Sequence, residues 1–139
     1  MRGVAASLAF VGVLVMSFAA CGREDPHQIR LSIEQISSIA AEGALMADDV
    51  SHGRSKVTFV RVHGEDLSSQ VQHEAEKLND DPVSPTLRGR VQAAIKLAGD
   101  VGSAIDDLRT SPQDRAQARR SEGNLMSLAS EVRKLADSI

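Results

Sequence analysis

The chain has 139 residues, enough for a single domain, with 16 basic and 19 acidic residues and a formal net charge of −3. Its aromatic side chains are three Phe residues, without Trp or Tyr. Proteins that bind nucleic acid typically present a basic surface and aromatic side chains on which bases stack. The acidic composition with few aromatic residues therefore predicts no nucleic-acid partner.

The first twenty residues have the order of an export signal. Arg2 gives a short positive start, residues 4–18 run without a charge, and alanines at 19 and 20 precede Cys21. Secretory signals combine a charged start, an apolar stretch and a small-residue cleavage site in this order. The apolar run of about 15 residues falls short of the roughly 20 that cross a bilayer as a helix. Lengthened slightly at both ends it just reaches that span, so an uncleaved membrane anchor is the alternative.

Cys21 distinguishes the two readings. It is the only cysteine, so the chain forms no internal disulfide, and a lone exposed thiol is a liability in an oxidising compartment unless it is consumed. The segment Phe18-Ala19-Ala20-Cys21 resembles the lipobox of bacterial lipoproteins, whose cysteine is acylated on sulfur and becomes the first mature residue. The resemblance covers residues 1–21, and Phe18 stands where Leu or Val is usual.

The resemblance implies a signal peptide over residues 1–20 and lipidation of Cys21 with acyl chains such as palmitate. The mature chain would then be anchored by its lipid to a bacterial membrane, with its domain outside the cytoplasm. Residues 21–25 are the predicted lipidated N-terminus and short tether, and residues 26–139 the predicted domain. Without the signal, 15 basic residues remain against 19 acidic ones, a net charge of −4, and Phe59 is the only aromatic residue left.

Four stretches of the domain alternate apolar or small residues three and four positions apart. This spacing aligns them along one side of a helix, as a packing stripe. The stripes cover residues 29–50, 57–78, 87–108 and 118–139. Short connections between helices of similar length predict an all-α fold, an up-down-up-down antiparallel four-helix bundle. Several stripe positions hold Ala or Gly, which predicts close helix approach and a lean core.

Capping residues and proline mark the predicted helix ends. Three starts combine a capping oxygen with proline at the first helical position: Asp25-Pro26, Ser84-Pro85 and Ser111-Pro112. Ser55 is the predicted cap of the second helix, after a turn at Gly53. Residues 79–82 are predicted to close the second helix.

The histidines and methionines are the first candidates for ligand chemistry. No histidine stands three or four residues from another, so no helix presents a two-histidine metal pair. His63 is predicted to be partly buried and packed on Phe59, one turn away; a metal or haem ligand is the alternative. Met46 and Met126 are predicted to fill gaps in the core, with haem ligation as the alternative.

Paired aspartates end three of the predicted helices, and basic residues gather near helix starts, both against the helix dipole. One end of the predicted bundle holds Asp48, Asp49, Asp106 and Asp107. These carboxylates are predicted to meet basic residues across the turns, namely Arg54, Lys56, Arg109 and Arg115. A divalent-cation site or partner-docking surface formed by the four aspartates is the alternative, because hard cations bind clustered carboxylates.

The sequence contains no nucleophile elbow, no phosphate-binding glycine loop and no His-Glu-x-x-His zinc motif. We therefore expect no enzyme activity and no cofactor. The favoured function is a lipid-tethered helical module that acts through contact with an envelope protein as yet unknown. The alternative is a carrier that holds a small ligand, a metal or haem between its helices.

Overall fold

A computed structural model describes residues 25–139. They form four α-helices, α1 (Pro26–Ser51), α2 (Val57–Asp80), α3 (Pro85–Thr110) and α4 (Arg115–Asp137). No strand occurs within these residues. The predicted signal peptide and Cys21 lie outside the described residues. The predicted all-α, antiparallel four-helix bundle is confirmed.

Two of the three predicted helix starts lie at the predicted residues, and one of these two also has the predicted side-chain cap. The Asp25 carboxylate accepts a hydrogen bond from the His27 backbone N–H at 3.0 Å, and Pro26 begins α1. Ser84 is the N-cap of α3, before Pro85, although its side chain makes no capping hydrogen bond. An acceptor at the N-cap satisfies one of the backbone N–H groups that a helix start leaves without an intrahelical partner.

The predicted start of α4 at Ser111-Pro112 is wrong. Ser111 instead ends α3, with its N–H donating to the Asp107 carbonyl. Asp114 is the N-cap of α4, and its carboxylate accepts from the Gln117 N–H at 2.9 Å. A carboxylate is favoured at this position because it also faces the positive end of the helix dipole.

The turn between α1 and α2 contains Gly53 at φ 69°, in the left-handed region where a side chain is strained. The predicted turn residue is therefore confirmed. The cap of α2 is Lys56 rather than Ser55, without a side-chain capping bond. As predicted, α2 ends within residues 79–82, at Asp80.

The four helices are not equally close. The α1/α4 and α2/α3 pairs make the most extensive contacts, and α1 also touches α3 across the centre. Among these helices, α2 and α4 do not touch each other. The cross-section is therefore a rhombus whose short diagonal joins α1 to α3, and α1 is the most deeply buried helix.

Small residues make the close packing possible. Almost every stripe position is buried, and the small members of the stripes are buried with them: Ala40, Gly43, Ala47, Gly64, Ala94 and Ala98. A Cβ at Gly43 would lie 3.2 Å from Ile105 Cγ1 and 3.3 Å from Leu125 Cδ1. Glycine thus lets α1 approach both α3 and α4. None of the four helices carries an apolar stretch long enough to cross a membrane.

Candidate functional site

The outer surface of the α1/α4 pair carries an apolar groove of about 410 Å³. Alanines 41, 44 and 129 form its floor, and Leu45 from α1 and Met126 from α4 stand on either side. Leu45 is 70% exposed and Met126 60% exposed, so the groove carries two large apolar side chains in contact with solvent. A groove with a small-residue floor and exposed apolar walls can receive side chains of another molecule.

The prediction that both methionines fill the core is half right. Met46 is 3% exposed and belongs to the core, whereas Met126 lies in the groove. Met126 follows the fully buried Leu125, and one residue turns a side chain by about 100° around the helix. Leu125, rather than Met126, therefore lies in the core.

Acidic side chains stand at one end of the apolar groove. Asp48 lines it from α1 and Glu122 from α4. Asp48 is ion-paired with Arg54, whereas the Glu122 side chain makes no salt bridge or hydrogen bond within residues 25–139. The groove therefore presents one neutralised and one uncompensated carboxylate beside its apolar walls.

A second, polar groove of about 340 Å³ continues along the same face toward the start of α1. Arg30 and Glu34 line it from α1, and Arg133 and Asp137 from α4. Arg30 Nε lies 2.8 Å from Glu34 Oε1, while Arg133 and Asp137 have no ion-pair partner in the described part of the chain. The α1/α4 face thus has an apolar half and a charged half.

His63 occupies the α1/α2 side of the bundle. Its ring stacks on Phe59 with centroids 5.0 Å apart, and its Nε2 lies 2.9 Å from Glu42 Oε1. The side chain is 26% exposed, so the predicted partly buried histidine on an aromatic ring is confirmed. The Glu42 contact was not predicted, because the two residues lie 21 positions apart and no local pattern connects them. Phe59 and the nearby Val62 are themselves 50% and 65% exposed.

The turn between α1 and α2 is held by an arginine fork. Arg54 contacts Asp48 through Nη2 and places Nη2 2.9 Å and Nε 3.0 Å from Asp49 Oδ1. The hydrogen bonds to Asp49 and Asp48 raise the pKa of Arg54 above its ordinary value. The predicted meeting of acidic pair and basic start is confirmed at this turn.

The turn between α3 and α4 does not follow that prediction. Arg109 pairs with Asp106 on its own helix, Nε to Oδ1 at 3.2 Å, and Ser68 Oγ donates to the same carboxylate at 3.1 Å. Within residues 25–139, Asp107 makes no salt bridge, and neither Lys56 nor Arg115 pairs with an aspartate. The connection between α3 and α4, residues 111–114, is also longer than the predicted start at Ser111-Pro112 implied.

The alternative cation site requires the four aspartates to act together. Across the described residues, no group of three or more His, Cys, Asp or Glu side chains is arranged to hold a metal ion. His63 and Glu42 form a two-residue contact that belongs to no such group.

Divalent cations are therefore expected to leave the thermal stability of the bundle unchanged. A metal that binds only the folded state raises the melting temperature as its concentration increases, and the carboxylates at the α1/α2 turn already have Arg54 as their cation. Melting with millimolar calcium or magnesium, against chelator at matched ionic strength, measures this. A midpoint that climbs with cation concentration contradicts the expectation, and Asp48→Asn would then identify the turn as the source.

Comparisons with known proteins identified no similar protein from which a role for this site could be inferred. No family model matches the chain, and searches of curated proteins and of solved structures found no match.

Proposed function

We propose that this protein is a bacterial lipoprotein whose helical bundle is a non-enzymatic interaction module at the cell envelope. The observation that supports the interaction role is the α1/α4 groove, where Leu45 and Met126 are exposed beside an alanine floor. Exposed apolar side chains grouped on one surface are typical of contact sites for other molecules. The lipobox-like segment ending at Cys21 supports the membrane attachment.

The geometry of α1 suits a tethered module. This helix begins at Pro26, so four residues separate it from Cys21. With a rise of 1.5 Å per residue, Leu45 lies about 28 Å along the bundle from Pro26. A lipid on Cys21 would hold the bundle by the end where α1 starts, and the apolar groove would lie along the side of the bundle, about 28 Å above that end.

A Cys21→Ser variant is expected to lose membrane attachment or to accumulate as an unprocessed precursor. Serine has no thiol to acylate, and a lipoprotein signal is processed at its modified cysteine. Membrane fractionation and the intact mass of the mature chain measure the two effects. The matched control is Val62→Ala, an exposed change on α2, which should remain membrane-bound. Normal cleavage together with unchanged attachment in the serine variant contradicts lipidation at Cys21.

The carrier alternative makes a different prediction about the purified protein. A bundle that holds a metal or haem between its helices would carry bound metal or a visible absorbance band. An interaction module would carry neither. Elemental analysis and an absorption spectrum of the natively purified chain therefore separate the two functions.

A further inference from the structure

We propose that the α1/α4 face is the interface of a parallel two-fold homodimer. A second copy of this chain is the occupant of the apolar groove. The inference deepens the proposed function and rests on it for the direction of the two tethers. The face itself is defined by its two grooves, the apolar one at Leu45 and Met126 and the polar one at Arg30 and Arg133.

The register of α1 and α4 determines what a second copy would meet. Ser37 Oγ donates to the Ala129 carbonyl at 2.9 Å, which sets the level of the two antiparallel helices. A two-fold axis parallel to the bundle and centred on this face places α1 of one copy on α4 of the other at the same level. Residues that share a groove within one chain then face each other between chains.

The apolar half is self-complementary in this arrangement. Leu45 of each copy faces Met126 of the other, above the small floor of Ala41, Ala44 and Ala129. Contact there removes from water the two most exposed large apolar side chains of this face. The flexible methionine adapts its side chain to the leucine that meets it.

The charged half is complementary as well. Glu34 faces Arg133 of the second copy, and Arg30 faces Asp137 of the second copy, and the symmetry repeats both pairs. Arg133 and Asp137 have no ion-pair partner within residues 25–139 of one chain. In the dimer each of them gains a partner from the second copy. Opposite charges placed in this way orient the encounter and select the parallel register. Asp48 comes opposite Glu122, but Asp48 is already neutralised by Arg54.

The size and direction of the face agree with a dimer of tethered chains. Two neighbouring helices of this length, about 37 Å, present on the order of 700 Å² per chain, close to the roughly 800 Å² that each partner contributes to a standard interface. A parallel axis also brings both copies of Pro26 to the same end. Both lipids would then insert into one membrane, whereas an antiparallel pair would direct them to opposite sides.

Cysteine cross-linking of full-length chains in envelope membranes tests the arrangement. Two differently tagged chains are coexpressed, one with Leu45→Cys and one with Met126→Cys, so that only links between chains join the tags. Mild oxidation should join them. The matched control replaces Met126→Cys by Val62→Cys, which is similarly exposed but on α2, and it should link at the rate of the pair without new cysteines.

Two outcomes overturn the dimer. One is a Leu45–Met126 link that forms no faster than the Val62 control. The other is a dominant Leu45–Leu45 link between two tagged Leu45→Cys chains, because that link requires α1 to face α1. Fractionation of the same cells distinguishes this failure from failure of the proposed function. Membrane-bound chains without the specific link overturn only the dimer, and specifically linked chains outside the membrane overturn only the tether.

A charge exchange tests the polar half separately. Glu34→Arg should slow the Leu45–Met126 cross-link by about fivefold or more, since symmetry turns two attractive contacts into two repulsive ones. Adding Arg133→Glu to the same chain restores opposite charges and should restore the rate. An unchanged rate in Glu34→Arg, or no recovery in the double variant, contradicts the parallel register.

Discussion

Ile105→Ala is expected to lower the free energy of unfolding by about 2–5 kcal/mol, the range measured for isoleucine truncations in well-packed cores. Ile105 is fully buried on α3 and lies next to Gly43 of α1 at the short diagonal of the rhombus. The loss combines the apolar surface returned to water with the cavity that remains. The helices around it already meet through Gly and Ala, so little side-chain volume is free to move into the gap.

Denaturant unfolding, followed by far-UV circular dichroism, measures this difference in unfolding free energy. The comparison requires that the two variants show the same dependence of unfolding free energy on denaturant concentration. The control is Val62→Ala, which removes apolar atoms from a side chain that is 65% exposed and should change stability by less than about 0.5 kcal/mol. An Ile105→Ala loss no larger than that of the control would mean that the centre of the bundle is loosely packed.

Gly43→Leu is expected to destabilise the bundle by about 3 kcal/mol, at the upper end of the range for overpacked cores. Even the first added atom would lie 3.2 Å from Ile105 and 3.3 Å from Leu125, and leucine adds three further carbon atoms at this contact between α1, α3 and α4. The helices would have to separate, and separation weakens the contacts of their whole length. Leucine's higher helix propensity offsets less than about 1 kcal/mol of this loss.

The matched control is Gly89→Leu, where a Cβ meets nothing within 4 Å on the exposed surface of α3. It should raise stability by about 0.5–1 kcal/mol through helix propensity alone. Combining Gly43→Leu with Ile105→Ala provides a further check, because the leucine can enter the space that the isoleucine leaves. The double variant should lose less than the two single losses together, and strict additivity would place the two residues out of contact.

The number of helices and the core residues could be predicted because both depend on the spacing of residues along a single helix. The stripe from Leu87 to Leu108 repeats at a helical period, and its members are buried as the period requires. Asp25-Pro26 starts α1 because the cap and the proline act on the backbone next to them. Gly53 at the first turn was predictable for a similar reason, because the left-handed backbone conformation there favours glycine.

The candidate site depended on choices between nearly equal neighbours. Leu125 and Met126 are both apolar and adjacent, but only Leu125 is in phase with the stripe of α4, so Leu125 is buried and Met126 is exposed. Ser111 and Asp114 both carry capping oxygens, and Asp114 holds the N-cap of α4. A three-residue difference in helix start changes little in the sequence pattern but changes which side chains lie at the end of the bundle.

The sequence by itself determined the four helices, their antiparallel order and the residues of their buried stripes, because periodicity and capping act within a few residues along the chain. Only the tertiary structure decided which surface residues meet. It brought Glu42 to His63, Ser37 to Ala129, and Arg30 into one groove with Arg133. These contacts join residues far apart in the chain, and they follow from the rotation and level at which whole helices pack rather than from any local preference.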